Sequence, residues 1–123
     1  MSHILVLEDE RAIQLGYQLT LTDAGYTVKL MSSGKGLLEA MPGVDLVITD
    51  IVMQDVDGME VIKQLKEQYP EVPIIAISGG GRIAADFYLK ASEVLGVNKV
   101  LQKPIESVEL LDAVKEVLDQ ASA

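Results

Sequence analysis

Four places in the chain carry side chains that could act together. Glu8 and Asp9 close the run "ILVLEDE", Asp50 closes "DLVITD", Ser78 closes "IIAIS", and Lys103 follows "VLQ". Three carboxylates brought within a few ångströms of one another repel strongly in a crevice unless a cation or a proton intervenes. The chain has no cysteine and a single histidine, His3, so the available metal ligands are oxygens. That calls for a hard cation, and Mg2+ fits best because it binds through one or two carboxylates while keeping several waters. Ser78 and Lys103 complete the chemistry: a hydroxyl donor and an ammonium beside a metal-bound carboxylate make a pocket for a phosphoryl group. An aspartate carboxylate can itself be the nucleophile, forming an aspartyl phosphate. Each residue also has a plainer role. Glu8 and Glu10 could be solvated loop acids, Asp9 or Ser78 a helix cap, and Lys103 a surface charge. For Glu10 the plain role is the expected one, a first-turn acid favoured by the helix dipole. For the others, four matching positions after apolar runs favour a shared site.

Those runs must be strands for the site to assemble. "HILVL", "YTVKL", "DLVIT", "VPIIAIS" and "NKVLQ" are short and rich in β-branched and aliphatic residues. Four of them are apolar at nearly every position, as expected of a parallel sheet covered by helices on both faces. Segments of helical period lie between them. Ile13, Tyr17 and Leu21 form one stripe, ended by glycine in "AGY". "DGMEVIKQLKEQ" and "RIAADFYLKASEVLG" form the middle helices, and a short one is expected around Ser33 to Ala40. In the last segment Val108, Leu111, Lys115 and Leu118 trace a stripe expected to face the sheet. The fold class is therefore α/β, a (βα)5 doubly wound five-stranded parallel sheet with right-handed crossovers. Ligands in such sheets bind at the carboxyl ends of the strands, which is where the candidate residues lie.

Composition narrows the function. The length of 123 residues suits a single domain over 1-123, with no output domain expected beside it. The net charge of −9 disfavours nucleic acid as a partner. No apolar run is long enough for membrane insertion and no secretion signal is seen, so a cytoplasmic location is expected.

With these residues in place, the sequence resembles a response-regulator receiver domain of two-component signalling, of the stand-alone chemotaxis type. The motifs that carry the likeness are "LVLEDE", "DLVITDIVMQDVDGMEVI", "IIAISG" and "VLQKPI", in that order. The resemblance implies a flavodoxin-like sheet of strand order 2-1-3-4-5. It implies that Asp50 accepts a phosphoryl group from a histidine kinase or histidine phosphotransfer protein, in a Mg2+-dependent reaction, and that the chain signals or relays to a downstream protein rather than turning over a substrate. Asp9, Asp50 and the backbone carbonyl of Val52 would hold the metal, with Glu8 acting through water. Ser78 and Lys103 would meet the phosphoryl oxygens, Lys103 across a cis peptide to Pro104. Asp57 and Gly58 match the turn that opens the third helix. The first helix would dock the histidine-bearing partner, with Leu15 and Leu19 as apolar contacts.

Three positions depart from the family's usual pattern. Gln54 replaces a common proline, and Val100 stands where a switching tyrosine or phenylalanine is usual. "GGGR" after Ser78 lengthens the interval to Lys103, so Gly79 to Gly81 with Arg82 form either a mobile gate or a tolerated insertion. Two other classes stay in view: a binding module of the same fold that signals without phosphorylation, and a Mg2+-dependent hydrolase. The latter usually shows an Asp-x-Asp pair, and here Val52 occupies the second position.

Overall fold

The computed structural model describes residues 2–51, 53, 58–79 and 93–121. Five strands, β1 (His3–Leu7), β2 (Thr27–Met31), β3 (Leu46–Asp50), β4 (Ile74–Ser78) and β5 (Lys99–Gln102), form one parallel sheet in the order β2-β1-β3-β4-β5. Helices α1 (Arg11–Asp23), α2 (Leu37–Ala40), α3 (Gly58–Gln68) and α4 (Ser107–Ala121) flank it. The short second helix is confirmed at a single turn. Most of "RIAADFYLKASEVLG" lies outside the described residues, but its end at Gly96 has the positive φ of 72° that glycine alone adopts readily.

Because successive strand residues point to opposite faces, β1 feeds two cores. Ile4 and Val6 join Leu46, Ile48, Ile75, Ile77 and Leu101 under α1 and α4. Leu5 and Leu7 join Val47, Ala76 and Val100 under α2 and α3. This double burial explains the continuous apolar runs. β2 is the exception, a half-exposed edge strand.

One expected stripe is wrong. The face of α4 that enters the core is Leu110, Ala113, Val114 and Val117, whereas Val108 is 68% exposed and Lys115 is exposed. Leu111 and Leu118 only border the core. The helix is apolar enough to offer two stripes, and the one that buries no charged stem packs against the sheet. Glu10 is also displaced from its expected role: it is the N-cap residue of α1, makes no side-chain cap bond, and the first turn holds no acid. Asp9 is accordingly not the cap.

Candidate functional site

The register of the sheet assembles the site. Leu7 pairs with Thr49, which places Glu8 level with Asp50 at the top of the two central strands. The same alternation that sends Val6, Ile48 and Leu101 under α1 and α4 puts Glu8, Asp50 and Lys103 on one side, two residues further along each strand. The backbone holds these ends together. Glu8 N–H donates to Met31 O (3.0 Å), Ile51 N–H to Ile77 O (2.9 Å) and Lys103 N–H to Ser78 O (2.9 Å). β2, which offers no side chain, thus contributes a carbonyl.

Carboxylate oxygens of Glu8, Asp9 and Asp50 all lie within 4.8 Å of one another. Glu8 and Asp50 are 1% and 2% exposed, and Asp9 is the more open member. Lys103 Nζ is 2.8 Å from Glu8 Oε1 and 3.3 Å from Asp50 Oδ1, and it donates to Asp50 Oδ2 at 3.4 Å. Glu8 Oε1 and Asp50 Oδ1 accept no aligned hydrogen bond, so the ammonium faces them as a point charge. Glu8 Oε2 accepts from the Glu10 amide at 3.0 Å.

Burial raises the Asp50 carboxyl, the neighbouring Glu8 raises it further, and Lys103 offsets only part, leaving it pushed up to about 8. Burial also works against the Glu8 anion, but its close contacts with Asp50 and the Lys103 ammonium and the hydrogen bond from the Glu10 amide outweigh that and hold it below the ordinary carboxylate range. Near neutral pH the two carboxylates therefore hold one proton between them. Lys103 is lowered by burial and raised by more from Glu8 and Asp50, so it stays charged. Tyr17, in the roof supplied by α1, has its phenol pushed up by burial and then by the charges of Glu8, Asp50 and Glu10.

Among the described residues, two buried carboxylates and the more open Asp9 with one ammonium leave an excess of negative charge among hard oxygen donors, two of whose oxygens lack an aligned partner. That donor set fits a divalent hard cation such as Mg2+. Val52, expected to add its carbonyl, lies outside the described residues, as do Gln54, Asp57, Gly80, Gly81 and Arg82. Lys103 and Pro104 are joined by the expected cis peptide.

Ser78 ends β4, next to the site, but on the strand parity of Ile74 and Ala76, and its hydroxyl donates to Gly79 O at 3.3 Å. Among the described residues it makes no bond to Asp50. Gly58 is confirmed at the start of α3, and its lack of a side chain is needed there. A Cβ would overlap the Asp50 carbonyl oxygen and come within 2.6 Å of Ile51 Cα. Val100 is buried in the core beneath α2 and α3.

Two features escaped the reading of the sequence. Glu8 pairs directly with Lys103, which its expected water-mediated role did not include. Gln14, a polar residue inside the apolar stripe of α1, is buried against the β1–α1 turn. Its only signal was its place three residues before Tyr17 on the buried face.

Comparison with known proteins agrees with this fold. The response regulator receiver domain family matches residues 4–115. The chain is 34% identical over 121 residues to the sensor kinase CckA of Brucella abortus, covering 95% of this chain and 12% of that protein. It is 31% identical over 121 residues to the transcriptional regulatory protein FixJ of Bradyrhizobium diazoefficiens, covering 97% of this chain and 58% of that one. The chain thus spans only part of these relatives. A response regulator receiver domain protein from Clostridium thermocellum superposes with a TM-score of 0.85 at 28% identity, covering 99% of this chain and 98% of that chain. With a match across nearly its whole length and the receiver's strand order in its sheet, the chain belongs to the response regulator receiver domain family.

Proposed function

We propose that Asp50 is the phosphoacceptor of this receiver, that Asp9, Asp50 and the Val52 carbonyl hold Mg2+ with Glu8 acting through water, and that the phosphorylated domain signals or relays through protein contacts in the cytoplasm. The observation that carries this reading is the convergence of three carboxylates within 4.8 Å, with the Lys103 ammonium 3.3 Å from Asp50. Receiver domains are phosphorylated by histidine kinases, so the donor is a phosphohistidine on a kinase or phosphotransfer protein.

In the transfer an Asp50 oxygen forms the new O–P bond while the P–N bond to the imidazole breaks. The electron pair leaves with the imidazole, which takes up a proton. A bound Mg2+ supplies positive charge against the oxygens that become more negative during transfer. Asp50 must be ionised to attack, and its shared proton with Glu8 has to leave first. Lys103, already charged and aimed at Asp50, remains as the fixed cation of the site. Ser78, at the neighbouring strand end, offers its hydroxyl to a phosphoryl oxygen.

The donor's approach is assigned to α1. Leu15 and Leu19 are 37% and 70% exposed on this helix. Beside them an apolar cleft of about 520 Å³ runs past Gly16, Thr20, Ile105 and Ser107 to Lys103. A helical partner laid here brings its histidine to the site. The test compares two donors. Phosphoryl transfer from a phosphohistidine protein should be blocked by Asp50→Asn and by Leu19→Glu, whereas a small-molecule donor should still modify Leu19→Glu. Transfer that survives Asp50→Asn overturns the assignment of the acceptor.

A further inference from the structure

The β1–α1 turn that carries Glu8 and Asp9 is tied on both sides of Asp9 to one residue of the first helix. Gln14 is only 2% exposed. Its backbone N–H donates to Glu10 O at 2.9 Å, and its side-chain Nε2 donates to Glu8 O at 3.2 Å. The two carbonyls flanking Asp9 thus share one donor residue. The other end of the amide is fixed as well: Arg11 Nη1 donates to Gln14 Oε1 at 2.6 Å. An amide accepting from a guanidinium cannot turn its oxygen inward, so its NH2 is committed to the Glu8 carbonyl.

The backbone hydrogen bond is one that any helical residue makes. The side-chain bond is different, because a buried polar amide on the sheet-facing side of α1 displaces an apolar contact. What it gains is a fixed turn. Glu8 is held by Met31 O at its amide, by the Glu10 amide at Oε2 and by Lys103 at Oε1. Its carbonyl is the remaining handle, and Gln14 holds it. Gln14 fixes the Glu8–Asp9 peptide through the Glu8 carbonyl, Glu8 Oε2 fixes the Asp9–Glu10 peptide through the Glu10 amide, and the Glu10 carbonyl anchors the turn to the helix, so the most open of the three acids keeps its carboxylate toward Asp50.

We infer that Gln14, oriented by Arg11, is a positioning residue for the metal-binding turn: it sets the affinity for the divalent cation by fixing the direction of Asp9. The inference rests on the metal site assigned under the proposed function. Neither residue touches the cation or the phosphoryl group. Partners that orient metal ligands from behind contribute about 10- to 100-fold to metal affinity.

The test uses the whole chain and Mg2+ alone, titrated by calorimetry, with amide hydrogen exchange at Asp9 and Glu10 followed in metal-free buffer. Gln14→Met keeps the side chain's length and volume and removes the donor. It should raise the Kd for Mg2+ about 10-fold and speed exchange in the turn, while the far ends of the sheet exchange as in the parent. Gln14→Glu keeps the Arg11 pair but turns an acceptor toward the Glu8 carbonyl, and should bind more weakly still. Arg11→Ala, an exposed change, should give a smaller loss of the same kind. Parent-like Mg2+ affinity and turn exchange in Gln14→Met overturn the inference. If that variant does not fold, parent-like values in Arg11→Ala overturn it instead. A parent chain that binds no Mg2+ overturns the proposed metal site, and this inference falls with it; a parent that binds, with variants that bind equally well, overturns this inference alone.

Discussion

Replacing Lys103 by methionine removes the cation paired with two carboxylates that are all but sealed from water. The Lys103 side chain is 19% exposed, whereas those of Glu8 and Asp50 are 0% and 3%. Breaking one side of a buried ion pair costs about 3–5 kcal/mol when the remaining charge stays. Protonation sets a ceiling on that cost. The pair already shares one proton, so the variant escapes by binding a second. Neutralising a carboxyl of ordinary pKa near 4.3 at pH 7 costs about 3.7 kcal/mol, at roughly 1.36 kcal/mol per pH unit. Residual hydration through the open side lowers this, and the expected loss is about 2–4 kcal/mol at pH 7.

The pH dependence carries the signature. Glu8 is held below its unfolded value in the parent, so its stabilisation is present above about pH 4.5 and lost as pH falls through its folded value. In the variant the native state takes up the extra proton. The stability gap between parent and variant should therefore close by about 1.4 kcal/mol per pH unit from pH 7 toward pH 5. Urea unfolding in metal-free buffer at several pH values measures it, with Lys103→Arg as the charge-preserving control. A gap that does not change with pH, or no gap at pH 7, would refute the claim that Lys103 stabilises buried carboxylate charge.

Three further outcomes follow from the same geometry. Asp50 has a raised folded pKa, so the native state keeps a proton that the unfolded chain loses, and parent stability declines from about pH 4 to about pH 8. Asp50→Asn should flatten that decline and raise the melting temperature at pH 8 more than at pH 5; equal shifts at both would contradict it. Mg2+ binding should release close to one proton near pH 7 and tighten by up to about 10-fold per pH unit below pH 8, as calorimetry in buffers of different ionisation enthalpy would show. A proton count of zero would contradict the shared proton. Gly58→Ala forces a Cβ into the Asp50 carbonyl and should cost about 1–3 kcal/mol or more by urea unfolding; a neutral effect would contradict that close approach.

Much of the site was legible because strand periodicity is simple. Counting in twos from the core residues Val6, Ile48 and Leu101 reaches Glu8, Asp50 and Lys103, so one parity rule brings two acids and their counter-charge together. The helices were harder to phase. In α4, Val108, Leu111 and Leu118 look as apolar as Leu110, Val114 and Val117, and only the cost of drawing Lys115 toward the sheet separates the two stripes. Gln14 was hidden for the opposite reason: a glutamine within an apolar stripe reads as surface until a buried carbonyl is found opposite it. Glu10 was placed one position too far into its helix, a difference that depends on backbone angles no side-chain pattern encodes. The family resemblance supplied the strand order, which local periodicity does not determine.

The most direct measurement is intact mass after incubation with a small-molecule phosphodonor, with and without Mg2+. The parent should gain one labile phosphoryl group only when Mg2+ is present, and Asp50→Asn should gain none. A stable adduct, an adduct that forms equally well without Mg2+, or one that persists in Asp50→Asn would contradict Asp50 as the metal-dependent phosphoacceptor.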